Sequence, residues 1–244
     1  MATHDASLIF DLDGTLIDSV YQHVMAWDEA LRRAGIDLSI WRIHRRIGMS
    51  GGLFVRALAR ELGENIDDRT VRTLQRDHEQ AYMQHVQTVK PLPGARDLLL
   101  ALTRERVPWA IATSGSREVA LRSLRALDVP TGVPVITRSE VKHAKPNPDL
   151  FLAAAKALRT PPHKTFVVGD SIWDVLGAAR AGALGVGLLS GGYGREELTE
   201  GGAYRVYSDT ADLLEHLDEL GLRLNERAAA AKRRRKAPSI PRRR

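Results

Sequence analysis

Two carboxylates one residue apart close a short apolar run near the N-terminus. Residues 8–16 read Leu-Ile-Phe-Asp-Leu-Asp-Gly-Thr-Leu, with Asp11 and Asp13 just ahead of Gly14. Strands seldom finish on two acids for packing reasons, because a carboxylate has to be hydrated, paired or bound to a metal. One such group can attack as a nucleophile while the other transfers a proton. Asp11 and Asp13 are the candidates for these two roles. The run is expected to deliver both into solvent, with Gly14 freeing the backbone to swing away. Three more segments carry side chains capable of chemistry. Trp109-Ala-Ile-Ala-Thr-Ser-Gly-Ser116 is an apolar run ending in hydroxyls, His143-Ala-Lys-Pro-Asn-Pro-Asp149 sets a lone lysine before a proline-punctuated helix start, and Thr165-Phe-Val-Val-Gly-Asp-Ser-Ile-Trp-Asp174 again ends in acids.

The elements that must position these groups follow from periodicity. Apolar runs bounded by turn signals fall at 8–11, 107–113, 133–136, 165–168 and 184–189, with a weaker one at 204–207. Helical patterns at 95–105, 117–127, 149–158 and 172–182 lie between most of them. Alternation of this kind predicts an α/β fold, a parallel sheet with helices on its faces. Ligands of such sheets bind beyond the carboxyl ends of the strands, where all four segments fall. The first connection breaks the pattern: from Asp18 to about Thr88 there is no convincing strand, and 20–34, 39–47, 52–62 and 69–86 read as helices. That is far more chain than one crossover needs, so an inserted helical domain is expected over the strand ends, with Pro91-Leu-Pro-Gly94 marking the return.

The net charge of +6 has to be divided. Residues 228–244 hold eight Lys and Arg and no acid, which leaves −2 on the other 227 residues, so the basic character belongs to the tail. Charge repulsion and prolines predict disorder there. Without aromatics to stack bases, residues 232–244 offer only a weak, nonspecific polyanion contact. There is no cysteine, which excludes disulfides and thiolate metal sites. No apolar run approaches membrane-spanning length, and a soluble, cytoplasmic protein is expected. Oligomeric state has no signature.

In their order (acid pair, hydroxyl, lysine, acid pair) the four segments resemble the signature motifs of the haloacid dehalogenase-like (HAD) hydrolase superfamily, over roughly residues 7–220. Within it the chain is similar to the phosphoglycolate phosphatase and β-phosphoglucomutase branch. The resemblance implies a Rossmann-like core over 1–18 and 88–227, an α-helical cap over 19–87 inserted after the first motif, and the basic tail 228–244. It further implies a Mg2+-dependent phosphatase for small phosphate monoesters, working through an aspartyl-phosphate, and assigns the nucleophile to Asp11 and the acid/base to Asp13. Mg2+ suits a site made of oxygens; in the family it is held by a carboxylate oxygen at the Asp11 position, the backbone carbonyl at the Asp13 position and the acid matching Asp170. Asp174 is expected to orient a metal water or Lys145. Thr113 and the N–H groups of Ser114 and Gly115 map to the phosphate-binding loop, and Lys145 supplies a point charge against Asp11 and the phosphate.

Asp13 also separates readings within the superfamily, since carbon–halogen dehalogenases generally lack the second aspartate, and a halide needs no proton donor. Residues 1–89 contain no lysine, which excludes a phosphonate-cleaving relative that forms a Schiff base through its cap. In the cap, Arg46 and Gly48 are candidates for substrate selection: the glycines of Arg45–Gly52 allow close backbone approach, and Arg46 can pair with a substrate carboxylate or second phosphate. Asn147-Pro148 reads as a helix N-cap followed by proline at the first helical position. Gly191-Gly-Tyr-Gly194 reads as a link between the last core strand and the next helix. Two other functions stay open. A sugar-phosphate mutase similar to β-phosphoglucomutase shares the aspartates and the cap, although that branch often carries an acid where this chain has Gly169. A noncatalytic binding module would act through the basic tail.

Overall fold

The computed structural model describes residues 6–63 and 66–223; the basic tail lies outside the described residues. Six parallel strands form the core: β1 (Ser7–Phe10), β4 (Trp109–Ala112), β5 (Val135–Ile136), β6 (Thr165–Gly169), β7 (Leu184–Leu188) and β8 (Arg205–Tyr207), in the order β5-β4-β1-β6-β7-β8. β1 therefore sits between β4 and β6, with Phe10 opposite Ile111 on one side and Val168 on the other. A central strand covered on both faces must be apolar throughout, as Leu8, Ile9 and Phe10 are. Leu8 and Phe10 point to one face, packing with Trp109, Ile111 and Val168 beneath α5 (Ala95–Arg104) and α10 (Thr210–Glu215). Ile9 points to the other, with Ala110 and Val167 against Phe151 and Ala154 of α7 (Asp149–Leu158) and Ala178 of α8 (Ile172–Ala181). α6 (Arg117–Ala126) and the short α9 (Arg195–Glu200) complete the helices of the core.

The expected helical insertion is present as α1 (Val20–Arg33), α2 (Ile40–His44), α3 (Gly51–Leu62) and α4 (Asp68–His85). On α1, Val20, Val24, Trp27 and Leu31 recur at helical spacing and form one buried stripe. With Ile43, Phe54, Val55, Leu58, Val71 and Leu74 that stripe makes an apolar core separate from the one around the sheet. A small antiparallel ribbon, β2 (Ile17–Asp18) on β3 (Lys90–Pro91), brings the departing and returning chain side by side. No helix among the described residues is long and apolar enough to cross a membrane.

At the start of α7 the structure departs from the sequence reading. Pro148, not Asn147, occupies the cap position, and the Asn147 side chain donates to the carbonyl of Ala144. Asn147 thus closes the turn that carries Lys145 instead of capping the helix.

Candidate functional site

Three adjacent strand ends and one loop converge. β1 delivers Asp11, β4 delivers Thr113, β6 delivers Asp170, and the segment before α7 brings in Lys145. Asp11 does not reach solvent as expected: it is 2% exposed, because neighbouring strand ends and the helical insertion close over it. Lys145, 1% exposed, lies 2.6 Å from Asp11 Oδ1 and 2.9 Å from Asp174 Oδ1. Burial would strip the lysine of its charge, but the two carboxylates outweigh that and hold its pKa above the ordinary value. Burial raises Asp11 to about 7; Lys145 offsets part of this, while Asp174 and Asp13 add to it.

Asp11, Asp170 and Asp174 can each offer an oxygen within 4.8 Å of the others, so three buried acids share one buried cation. Burial first, then Asp174 and Asp11, push Asp170 well above the ordinary carboxylate range. Such an excess of negative charge suits a cation, and oxygen-only ligands suit Mg2+. The remaining contacts indicate which oxygens are free. Asp174 is engaged at both: Lys145 takes Oδ1, while the Ser171 hydroxyl and, at 3.2 Å, its N–H donate to Oδ2. Asp170 accepts from Thr15 Oγ1 at 2.8 Å on Oδ1, and its Oδ2 faces Gly14 and Gly191. Asp11 Oδ1 is buried against the Lys145 ammonium at 2.6 Å, which leaves the other oxygen of that carboxylate for an ion. Asp11 and Asp170 thus keep oxygens for an ion, while Asp174 fixes Lys145.

Gly191 is more than the linker expected of it. A Cβ there would lie 1.9 Å from Asp170 Oδ2, so only glycine lets the chain after β7 pass that carboxylate. Gly14, at φ +81°, turns the chain after Asp13 and would also meet Asp170 Oδ2, at 2.3 Å, if it carried a Cβ.

Asp13 is held from the insertion. Ser19 Oγ donates to its Oδ1 at 2.7 Å, and His23 Nε2 lies 3.3 Å from the same oxygen. Behind it, His23 Nδ1 is 3.2 Å from His78 Nε2, with His23 stacked on Tyr82 and His78 on Trp27. Burial raises the Asp13 pKa, but His23 and Ser19 together outweigh it, and the net shift is downward. His78 is pushed well below its usual value by burial and then by His23. Sequence reasoning missed both histidines. The one available signal is that His23 lies one helical turn after Ser19, the residue at the N-cap of α1.

Thr113 is buried at the end of β4, and its Oγ1 accepts the Gly115 N–H at 3.0 Å. That N–H was expected to face a phosphate; here it is turned inward, which leaves the Thr113 hydroxyl proton free to donate. Asp13 Oδ2 faces Gly115 across 3.9 Å from the position a Cβ would take. Ser114 Oγ meets the carbonyl of Gly48 at 3.4 Å, tying this loop to the insertion. Thr113, Ser114, Gly115, Asp11, Asp13 and Lys145 line one cleft between core and insertion, with Arg46, Gly48, Gln75, His78 and Arg138 among its other lining residues. Arg46 reaches the cleft but is paired with Glu61 and donates to the carbonyl of Arg42 at 2.7 Å. The free guanidinium expected for substrate is therefore already engaged.

The insertion is fastened above the site at a second place. Arg45 pairs with Glu197 and lies over the Tyr193 ring, 4.2 Å from its centroid. The Tyr193 hydroxyl donates to the Arg45 carbonyl at 2.7 Å, and His44 Nε2 contacts the Gly191 carbonyl at 2.9 Å.

Comparison with known proteins agrees with this geometry. The family model described as "haloacid dehalogenase-like hydrolase" matches residues 7–182. The solved structure of a hydrolase from Pseudomonas syringae superposes with a TM-score of 0.86 at 52% identity, covering 88% of this chain and 98% of that one. Hexitol phosphatase A of Escherichia coli is 32% identical over 71% of this chain and 78% of its own length. 2-Deoxyglucose-6-phosphate phosphatase 1 of Saccharomyces cerevisiae is 31% identical over 86% of this chain and 90% of its own. With the family model matched over residues 7–182 and relatives above 30% identity, the chain belongs to the haloacid dehalogenase-like hydrolase family.

Proposed function

We propose that this phosphatase of the HAD-like family hydrolyses small phosphorylated sugars or polyols, with Mg2+, through an aspartyl-phosphate on Asp11. The observation that carries the reading is the buried set Asp11, Lys145, Asp170 and Asp174 at the ends of β1 and β6, facing a cleft lined by Thr113, Ser114 and Gly115. The named activities of the relatives, on hexitol and deoxyglucose phosphates, supply the substrate class.

In this account Asp11 attacks phosphorus and the ester oxygen leaves from the opposite side. Lys145 favours the ionised form of Asp11 against the effect of burial and draws in the phosphate. Thr113 and Ser114 orient the transferring group. Asp13 passes a proton taken from His23 to the leaving alcohol and then takes one from the water that releases phosphate. His23 Nε2, 3.3 Å away, is the neighbour through which Asp13 exchanges that proton. Asp11, Asp170 and the Asp13 carbonyl would hold Mg2+, which when bound offsets the charge of the acids and of the phosphate. Helices α1–α4, over residues 19–87, act as the cap that limits water during attack.

The mutase alternative has less support. A side chain at position 169 would place its Cβ 2.2 Å from Asp174 Cγ, so an acid there and Asp174 compete for one space. Here Asp174 fills it. The test is phosphate release from hexitol, hexose and glycolate phosphates, with Mg2+ or EDTA, by wild type and Asp11→Asn. Metal-dependent release from the sugar and polyol esters, absent in the variant, supports the proposal. Interconversion of sugar phosphates without release would replace it with the mutase.

A further inference from the structure

A second cleft of about 370 Å3 opens beside the first, between α3, α4 and the segment leading to Lys145. Arg56, Arg72, Arg138 and Lys142 line it against a single acid, Asp68. Asp68 is already engaged by Arg56 across the rim, and that arginine holds its carboxyl below the usual range. Among the described residues, Arg72, Arg138 and Lys142 form no ion pair. Outside its tail the chain carries a net −2, so this concentration of positive charge is local and not a general property of the surface. Like charges gathered around one concavity repel each other, and an anion seated among them removes that cost.

The two clefts adjoin, with Gln75 and Arg138 lining both. The backbone N–H of Arg138 donates to the Gly115 carbonyl at 3.1 Å, which anchors that arginine to the loop beside Asp13. At the floor, Ser50 N–H donates to the carbonyl of Lys145 at 3.2 Å. The cleft is thus linked to the phosphate loop through Arg138 and to the lysine segment through Ser50. Arginine forks favour phosphate-type oxygens over a single carboxylate oxygen.

We infer that this cleft is a second anion subsite, taking a phosphate-class dianion next to the reacting group. Its occupant is either the distal phosphate of a doubly phosphorylated sugar or free orthophosphate. The inference rests on the phosphatase reading of the neighbouring cleft. Arg46, paired with Glu61, leaves the work of binding a second anion to Arg72, Arg138 and Lys142.

The experiment compares fructose 1,6-bisphosphate with fructose 1-phosphate and fructose 6-phosphate as substrates of the Mg2+-loaded protein, and titrates orthophosphate by calorimetry. The variants are Arg72→Ala/Lys142→Ala and Arg72→Lys/Lys142→Arg, both at exposed positions outside the catalytic set. A distal phosphate in the subsite gives the bisphosphate a KM about tenfold or more below both monophosphates, since a charge-assisted contact is worth about that much. The gap should close in the alanine pair, with kcat unchanged, and return in the conservative pair. If the esters show no gap but orthophosphate binds at two sites, one of them lost in the alanine pair, free phosphate is the occupant. Equal KM values together with a single orthophosphate site overturn the inference. Failure to hydrolyse any ester would instead count against the phosphatase reading, and the orthophosphate titration would still report on the cleft.

Discussion

Replacing Lys145 by methionine removes a charge at nearly constant volume from the most constrained point of the site. The ammonium is 1% exposed and stands 2.6 Å from Asp11 and 2.9 Å from Asp174, with Asp170 in the same cluster. Without it, three buried carboxylates face one another and no cation. Removing one partner of a buried ion pair typically costs about 3–5 kcal/mol, because the other charge stays buried and uncompensated. For a protein of this size each kcal/mol lowers Tm by about 2–4 °C, so the metal-free variant should melt roughly 6–20 °C below wild type at pH 7. The assay is thermal unfolding followed by circular dichroism, in EDTA at pH 7 and pH 5 and again in saturating Mg2+. At pH 5 the acids with raised pKa values take up protons and the deficit should shrink; in Mg2+ it should shrink as well, since a bound cation replaces part of the lost charge. A deficit below about 1 kcal/mol, unchanged by pH and by metal, would refute the claim that Lys145 compensates the acid cluster.

Metal-free wild type should itself lose stability as pH rises. The folded pKa of Asp11 is about 7 against an ordinary 3.8, and Asp170 is raised too, so the folded protein binds more protons than the unfolded chain across that window. Stability is then fullest below about pH 4 for these groups and is lost as pH climbs through 7, the reverse of a salt-bridged acid; denaturant titrations in EDTA at pH 5 and pH 8 read the difference. Gly191→Ala should raise the Mg2+ concentration for half-maximal activity by about 10- to 100-fold, because its Cβ displaces Asp170 Oδ2; metal titration of activity measures it. Arg45→Ala should cost no more than about 1 kcal/mol in denaturant unfolding, since the Arg45–Glu197 pair is partly exposed and screened.

Much of the fold was legible because its signals are local. The strands are short apolar runs stopped by turns, and the helices expected between 20 and 182 agree with those observed to within a few residues at each end, whereas the extent of the six-residue α9 was not foreseen. The ribbon of β2 and β3 was not visible, as two-residue strands carry no periodicity. At the site, Asp11, Asp13, Thr113, Ser114, Gly115, Lys145 and Asp170 were all named from strand ends and motif order, and they do line one region. What could not be read was contact across the chain. His23 and His78 stand 55 residues apart, and nothing in either helix alone says that they meet. Arg46 looked free because Glu61 lies on the next helix. Gly191 looked like a linker because its neighbour Asp170 belongs to another strand end. Asp11 was expected in solvent because a strand end shows nothing of the helices that fold over it.

The covalent step is the centre of the account, and it can be seen directly. Protein carrying Asp13→Asn would be mixed with Mg2+ and p-nitrophenyl phosphate, whose leaving group needs no proton from position 13, so that the variant slows only release of the phosphoryl group; it would then be quenched in acid and mapped by peptide mass spectrometry. The account predicts a phosphate adduct on the peptide bearing Asp11, absent in EDTA and absent when Asp11 is also asparagine. Ester hydrolysis that proceeds normally in Asp11→Asn, with no adduct on any aspartate, would contradict it.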